Sequence, residues 1–373
     1  MPLIPLFIAV FILLSLPGQS QGRLSVDRLP DLPNVQGRPN PGVAGAFAGV
    51  SNGALLVAGG ANFPNGYPWQ NGKKVWHATV YVLNKPDGSW KMGGQLPRPL
   101  GYGTSVSWNN RLIGIGGNDA ERSYADVFSL TWNPATETIQ RDSLPPLPKP
   151  LANLAAAVLD YQLVVVGGES EHGAENQVYT LNLRNPAKGW QKRANLPGPG
   201  RAYTTLVAMN RSLYVVGGRQ TRSGVTTVFA DAYEYRLDQN RWHGLPDLPQ
   251  PLAAHGAGSD GRSLWVIGGD NGQRLKQIEA LNNRLKTLPD GSEAESLTRQ
   301  RNELQRNHPG FVRTVWQYRL EQGRWSKLDT LAFPVPVTTP VVGWENGLVL
   351  PSGEVSPGVR TPAVWRLTIP DVH

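Results

Sequence analysis

The sequence predicts an all-β fold, a single six-bladed β-propeller, from repetition and from composition. A short apolar run ending in Gly-Gly recurs about every fifty residues, which is typical of propeller repeats. Glycine and proline are frequent, at 42 and 32 of 373 residues, as expected for a chain with many turns. The runs are Leu55 to Gly60, Leu112 to Gly117, Leu163 to Gly168, Leu213 to Gly218 and Leu264 to Gly269, with a degenerate sixth, Leu348 to Gly353.

Each repeat contains four short strand patterns, the content of one blade. An apolar strand precedes the Gly-Gly strand, and an aromatic strand follows it, as in Gly45 to Val50 and Thr79 to Leu83. The fourth strand begins near Trp and closes on Leu-Pro, as in Trp90 to Pro97. Glycine lets inner strands approach, and Trp fills the gap between diverging outer strands, so the pattern resembles the kelch repeat. The predicted blades are 43–98, 99–149, 150–199, 200–249, 250–333 and 334–369.

The N-terminal segment supports two predictions. Leu3 to Leu16 is an unbroken apolar stretch followed by small and polar residues, the layout of a secretory signal peptide over 1–22. As a helix it spans about 21 Å, short of a bilayer core. We therefore expect export, to the periplasm or outside the cell, with no membrane span after cleavage. Residues 23–33 end in Leu-Pro, and blade six lacks a fourth strand, so this segment is predicted to close the ring. The mature propeller would then occupy 23–373.

Blade five contains a long insertion. Residues 273–311 lose the β pattern; Leu275 and Ile278 begin a helical spacing, and Ser292 with Glu295 matches a capping box. The sequence predicts a helical hairpin between strands two and three, projecting over one face. It is either a lid or a structural excursion.

Composition excludes several classes of site. The chain has no cysteine, so disulfides, thiolate metal sites and cysteine nucleophiles are excluded. The six histidines show no ligand spacing on one element, and we expect no metal and no cofactor. The formal net charge of +8 favours an anionic partner, but no Lys/Arg run points to nucleic acid.

The repeat frame predicts where a pocket lies, because loops after strand two and loops between blades share one face of a propeller. Glu354 and Arg360 flank the turn Ser356-Pro357-Gly358, so a short hairpin holds them on adjacent strands. From spacing alone the pair is either part of a site or an ordinary surface ion pair. The other pocket candidates are Asn62 and Glu169, after Gly-Gly, and Tyr102, Arg201 and His255, near the starts of first strands.

Two stretches carry a family resemblance. Gly42 to Gly60 (GVAGAFAGVSNGALLVAGG), with the following Ala61 to Lys73, closely resembles a blade of the N-acetylneuraminate epimerases, the sialic acid mutarotases. Glu354 to Val364 (EVSPGVRTPAV) resembles the family's hairpin in blade six. Known members carry the first of these blades late in the chain, so this sequence resembles a cyclically permuted branch. Pro99 to Tyr102 lacks the Arg that the family tends to carry there.

The resemblance implies interconversion of the α and β anomers of N-acetylneuraminic acid. It assigns Glu354 as the base that becomes the acid, and Arg360 as the partner of the substrate carboxylate. Arg201, His255, Asn62 and Tyr102 would line the pocket, with Glu169 as a reserve base. Two alternatives stay open: a non-catalytic kelch propeller that binds a glycan or protein, and a mutarotase for another acidic sugar. The oligomeric state is not predicted.

Overall fold

The computed structural model describes residues 24–35 and 37–369, so the signal peptide predicted over 1–22 lies outside the described residues. Six four-stranded antiparallel sheets confirm the predicted propeller. From the axis outward the strands of blades one to three are Phe47–Ser51, Ala54–Ala58, Thr79–Leu83 and Lys91–Gln95; Thr104–Trp108, Arg111–Ile115, Val127–Asn133 and Thr138–Leu144; and Ala155–Leu159, Gln162–Val166, Val178–Asn182 and Gln191–Lys192.

Blades four to six follow the same order, and the last one takes its outer strand from the N-terminal segment. Their strands are Thr205–Met209, Ser212–Val216, Ala232–Arg236 and Arg241–Leu245; Gly256–Ser259, Ser263–Ile267, Thr314–Arg319 and Arg324–Thr330; and Val342–Trp344, Gly347–Pro351, Val364–Thr368 and Ser25–Leu29. The last pair is antiparallel, with Ser25 opposite Thr368 and Leu29 opposite Val364. The ring is therefore closed between the two ends of the described chain.

The hydrophobic core lies between neighbouring blades, where the inward faces of adjacent sheets meet. Phe47 of blade one packs edge-on against Phe128 of blade two, with 5.4 Å between ring centroids. The outer tryptophans also form hydrogen bonds between blades. Trp90 and Trp190 each donate the indole N–H to a proline carbonyl of the preceding blade, over 2.8 and 2.9 Å. These tryptophans hold blades together, as their place in the repeat predicts.

A closed ring of backbone hydrogen bonds surrounds the axis. In each blade a residue shortly before the inner strand, two positions before it in blades one to five and four in blade six, adopts the left-handed conformation, with φ between 53° and 69°. Its N–H donates to the carbonyl of the equivalent residue in the preceding blade, over 2.6–3.3 Å. Positive φ is unfavourable for alanine and threonine, so the hydrogen bonds and packing must hold them there. The members of this floor ring are Gly45, Tyr102, Asn153, Tyr203, Ala254 and Thr338.

The insertion in blade five is helical, as predicted. It consists of α1, Gln273–Leu285, and α2, Ser292–Arg306. The predicted capping box is wrong by one position, because Gly291 is the N-cap and Ser292 is already helical. Short 3₁₀ turns lie at Pro68–Gln70 and Pro186–Lys188.

Both helices contact other blades. The Glu279 carboxylate of α1 accepts from the Thr226 N–H of blade four over 2.9 Å, and Asn283 Nδ2 donates to the Gly224 carbonyl over 2.9 Å. Helix α2 reaches the Pro68–Gln70 turn of blade one. The insertion thus connects blades that are not neighbours in sequence. No helix within the described residues is long and apolar enough to cross a membrane.

Candidate active site

Six equivalent positions surround the floor ring on one face. Each is the residue that follows the Gly-Gly step or its degenerate copy, and each forms a bridge with the residue that precedes a floor-ring member. We call these the post-glycine positions. They are Ala61, Asn118, Glu169, Arg219, Asp270 and Glu354, bridged to Ala44, Gly101, Ala152, Ala202, Ala253 and Val337 in that order.

Glu354 and Arg360 form an ion pair on the blade-six hairpin. The strands Glu354–Ser356 and Val359–Arg360 form a short antiparallel hairpin, in which Glu354 lies directly opposite Arg360. Arg360 Nη1 donates to Glu354 Oε1 over 2.8 Å, and the Gly358 N–H of the turn donates to the same oxygen over 2.6 Å. No described residue hydrogen-bonds Oε2. One carboxylate oxygen is therefore fixed and the other is available to a ligand.

Arg360 is held on every side. Its side chain is 3% exposed, Nη2 donates to the Tyr102 hydroxyl over 3.1 Å, and Nε donates to the Ala61 carbonyl over 3.4 Å. Phe63 stacks against the guanidinium at 5.0 Å. All three nitrogens thus have partners, which fixes the guanidinium beside Glu354.

Tyr102 joins the floor ring to this pair, and its predicted contact with a substrate stays a prediction. Burial raises the pKa of Tyr102, so the phenol stays protonated. The Lys74 ammonium lies 4.8 Å from the Tyr102 ring centroid. Partial burial lowers the pKa of Lys74, and the positive charge of Arg360 acts in the same direction. The pair therefore sits among cationic and aromatic groups.

Asn62 is close to this site in sequence, but its amide is occupied within blade one. Its Nδ2 donates to the Gly42 carbonyl over 2.8 Å, and its Oδ1 lies 2.8 Å from His77 Nε2. The residue is 4% exposed. The structure therefore gives Asn62 the role of supporting the loop that carries Phe63, in contrast to the predicted pocket contact.

Glu169 lies across the ring from Glu354, at the equivalent position of blade three. Asn153 Nδ2 of the floor ring donates to Glu169 Oε2 over 2.7 Å. The residue opposite it on the hairpin is Ala174. Glu169 therefore faces the same floor, and no arginine lies opposite it on its hairpin.

Arg201 is not at the pocket, and this placement corrects the prediction. Its side chain is fully buried in an ion pair with Asp231, and Nη1 also donates to the Gly217 carbonyl over 3.2 Å. The floor-ring member of blade four is Tyr203, two residues later. Arg201 therefore anchors the loop between blades three and four.

His255 is also displaced from its predicted place. Blade five contributes Ala254 to the floor ring, and the His255 side chain lines a central cavity of about 170 Å³ between the inner strands. Its Nε2 lies 3.0 Å from Thr205 Oγ1, and burial lowers the pKa of His255 to about 4. The imidazole is thus neutral at physiological pH and belongs to the propeller core.

Two further residues lie at this face, and the repeat frame predicts the position of one of them. Tyr203 belongs to the floor ring, and Arg219 occupies the post-glycine position of blade four, with its guanidinium 4.1 Å from the Tyr203 ring centroid. Arg219 follows Gly217-Gly218 directly, so the repeat frame predicts its position. Tyr203 is missed because the same frame predicts Arg201 for blade four.

The insertion ends beside the blade-six hairpin. A Cβ on Gly310 would lie 3.5 Å from the Val355 carbonyl oxygen. Burial lowers the pKa of the neighbouring His308, and the Glu354 carboxylate acts in the opposite direction. Within residues 24–35 and 37–369 no group of three or more acidic, His or Cys side chains could hold a metal ion.

Comparison with known proteins gives a consistent family. The sequence model of the family described as N-acetylneuraminate epimerase matches residues 18–139 and 144–372. The N-acetylneuraminate epimerase of Haemophilus influenzae (strain PittEE) is 42% identical over 122 residues, which cover 30% of this chain and 32% of the relative. That of Pasteurella multocida (strain Pm70) is 34% identical over 142 residues, 33% of this chain and 37% of the relative. The chain thus aligns with about a third of the length of these relatives.

A solved structure shares the fold. The protein titled "Structure of YjhT" superposes with a TM-score of 0.64 and 17% sequence identity, covering 92% of this chain and 98% of the other. At that identity the likeness concerns the propeller alone.

Proposed function

The chain belongs to the N-acetylneuraminate epimerase family, and from this premise we propose that it interconverts the α and β anomers of N-acetylneuraminic acid. The observation that carries the proposal is the Glu354–Arg360 pair, 2.8 Å apart on a hairpin at the edge of the floor ring. Among the six post-glycine positions, it is the one where a carboxylate faces a guanidinium across a hairpin.

Anomer exchange requires modest acid–base chemistry. A base removes the proton of the anomeric hydroxyl while the bond from the anomeric carbon to the ring oxygen breaks, and the ring oxygen takes up a proton. The open keto form then turns its carbonyl face, and the ring closes with the proton transfers reversed. Nothing is oxidised or reduced.

Glu354 suits the base because its two oxygens differ. Oε1 is held by Arg360 and by the Gly358 N–H, which fixes the side chain. Oε2 is directed to accept the hydroxyl proton and to return it on closure. The Tyr102 phenol, protonated and bonded to Arg360, stands beside the pair as a hydrogen-bond donor to the sugar.

The test follows the decay of α-sialic acid freshly released by a sialidase, by proton NMR. We expect the purified protein to speed the conversion to the β anomer in proportion to its concentration. Conversion at the spontaneous rate contradicts the proposal. A parallel assay with a 2-keto sugar acid that lacks the N-acetyl group distinguishes a mutarotase for another acidic sugar. Binding to sialylated glycans without any acceleration identifies a non-catalytic module.

Export forms a second part of the proposal. The apolar stretch Leu3 to Leu16 supports secretion to the periplasm or beyond. N-terminal sequencing of the protein from the cell exterior or periplasm should find a start near Arg23, whereas a cytoplasmic chain that begins at Met1 contradicts this part.

A further inference from the structure

The proposed substrate carries a carboxylate next to its reacting carbon, and a cation is needed to bind it. Arg360 already donates from all three of its nitrogens, to Glu354, Tyr102 and the Ala61 carbonyl. With its side chain 3% exposed, it is better placed to orient Glu354 than to receive a second anion. The carboxylate therefore requires another partner.

Arg219 is a cation on this face that forms no close ion pair. Burial disfavours its charge, but the more distant carboxylates of Glu169 and Asp270 favour it and contribute to a raised pKa. In the described residues no carboxylate oxygen lies within 4.0 Å of its guanidinium, and its Nε is buried without a hydrogen-bond partner. Arg201 of the same blade shows the contrast, because it is buried against Asp231. Because no carboxylate occupies the guanidinium fork of Arg219, the fork can bind the carboxylate of a ligand.

Stacking on the ring of Tyr203 orients the Arg219 side chain at the floor ring. The guanidinium covers the Tyr203 ring at 4.1 Å, an arrangement that holds a planar cation in place. Glu169, its acidic neighbour in blade three, already accepts from Asn153. Burial raises the pKa of Tyr203, and the positive charge of Arg219 opposes that rise.

We propose that Arg219 binds the carboxylate of the sugar acid, while Arg360 positions Glu354 for proton transfer. This inference rests on the proposed function and deepens it. The planar guanidinium of Arg219 matches a carboxylate with two parallel hydrogen bonds. A sugar held in this way lies across the floor ring, with its anomeric hydroxyl directed at Glu354.

The experiment measures binding without turnover. The methyl glycosides of N-acetylneuraminic acid lack the anomeric hydroxyl proton, so neither anomer can open, and calorimetry gives their affinity. We expect Arg219→Gln to weaken binding of the glycoside that wild type prefers by on the order of 10- to 100-fold. Arg219→Lys keeps the charge but loses the forked guanidinium, so its affinity for the glycoside should lie between those of wild type and Arg219→Gln. The matched control is Arg222→Gln, on the same hairpin but exposed, which should bind as wild type does.

A methyl ester of the same glycoside identifies the group that Arg219 contacts. Wild type should bind the ester as weakly as Arg219→Gln binds the acid, and the substitution should not weaken ester binding further. Arg360→Gln should lower kcat for sialic acid more than it lowers glycoside affinity, as expected of a positioning residue.

The outcomes separate the two proposals. If wild type binds the glycoside and Arg219→Gln binds it equally well, the assignment of Arg219 is overturned while the proposed function stands. The assignment of Arg219 is also overturned if Lys74→Met, which removes the nearby ammonium, abolishes the preference for acid over ester and Arg219→Gln does not. If wild type neither binds the glycosides nor speeds anomer exchange, both proposals are overturned together.

Discussion

Glu169 and Glu354 occupy the same post-glycine position in blades three and six, on opposite sides of the floor ring. Their surroundings differ in the residue across the hairpin, which is Ala174 for Glu169 and Arg360 for Glu354. The propeller repeat thus supplies a position, and the neighbouring strand decides the chemistry. A catalytic role for Glu354 alone implies that the arginine, and not the repeat, defines the site.

The turns of the two hairpins differ as well. Gly173 in blade three has φ +103° with nothing within 4 Å of an added Cβ. Gly358 in blade six has φ +83°, packs against Pro68 of blade one, and donates its N–H to Glu354. The blade-six hairpin is therefore held from both its turn and its strand, whereas the blade-three carboxylate depends on one side-chain amide.

The largest expected effect comes from the glutamates themselves. Glu354→Gln should lower the rate of anomer exchange by on the order of 10²- to 10⁴-fold, because the amide cannot accept the hydroxyl proton. Glu169→Gln, the matched change across the ring, should alter kcat by less than about threefold. NMR of freshly released α-sialic acid measures both.

Stability must be followed alongside these rates. Replacing Glu354 leaves the buried Arg360 without a counter-charge, which lowers the free energy of unfolding. Glu354→Asp keeps the charge but retracts the carboxylate, so it separates folding from catalysis. Equal losses of rate in the Glu169 and Glu354 variants, with unchanged melting temperatures, would remove the distinction between the two hairpins.

The architecture was predictable from the sequence because it repeats. The Gly-Gly steps mark the second strand of each blade, so the blade count and the blade-six hairpin followed from spacing. The same frame does not fix single positions in the connections between blades: it predicts Arg201 for blade four, two residues before the floor-ring member Tyr203. Nothing in the sequence indicates that Ala254 adopts the left-handed conformation, so the sequence favours the neighbouring His255 as the pocket residue.

Side-chain partners were the harder part to predict. The type of residue at position 62 suggested a ligand contact, but its two amide atoms are occupied by Gly42 and His77. The lack of a close ion pair at Arg219 depends on how the side chains of neighbouring blades pack, which the repeat does not predict. The cyclic permutation suggested by the family resemblance stays a prediction, because neither the fold nor the family match distinguishes where the ring was opened.

A prediction of intermediate size concerns the pH dependence of the free energy of unfolding, because both hairpins depend on a folded propeller core that contains His255. The pKa of His255 is about 4 in the folded protein, below its ordinary value of 6.5, so the unfolded chain takes up the proton first as pH falls. The free energy of unfolding should thus decrease between about pH 6.5 and 4, by on the order of 3 kcal/mol from this group.

Chemical denaturation across this pH range measures the decrease. His255→Gln should remove most of the slope attributable to this histidine, and carboxylates that titrate nearby remain common to both proteins. An unchanged slope in the variant would show that His255 is not the group that titrates.

The smallest effect concerns the turns. Gly358→Ala and Gly173→Ala both place a side chain at positive φ, which costs on the order of 1 kcal/mol in each hairpin. Only the added Cβ at 358 also meets Pro68, at 2.4 Å from its Cγ, so the turn must move. Movement of the turn takes the Gly358 N–H away from Glu354 Oε1.

We therefore expect Gly358→Ala to lower kcat/KM by on the order of tenfold, equivalent to about 1.4 kcal/mol, and Gly173→Ala to leave it within about twofold. Pro68→Ala in the Gly358→Ala background should restore part of the loss, because it removes most of the obstructing ring. Melting curves provide the control: the strain of positive φ lowers both melting temperatures, and the contact with Pro68 lowers that of Gly358→Ala further. If the two alanine variants retain the same activity, the contact between blades six and one does not hold the glutamate, and its orientation depends on Arg360 alone.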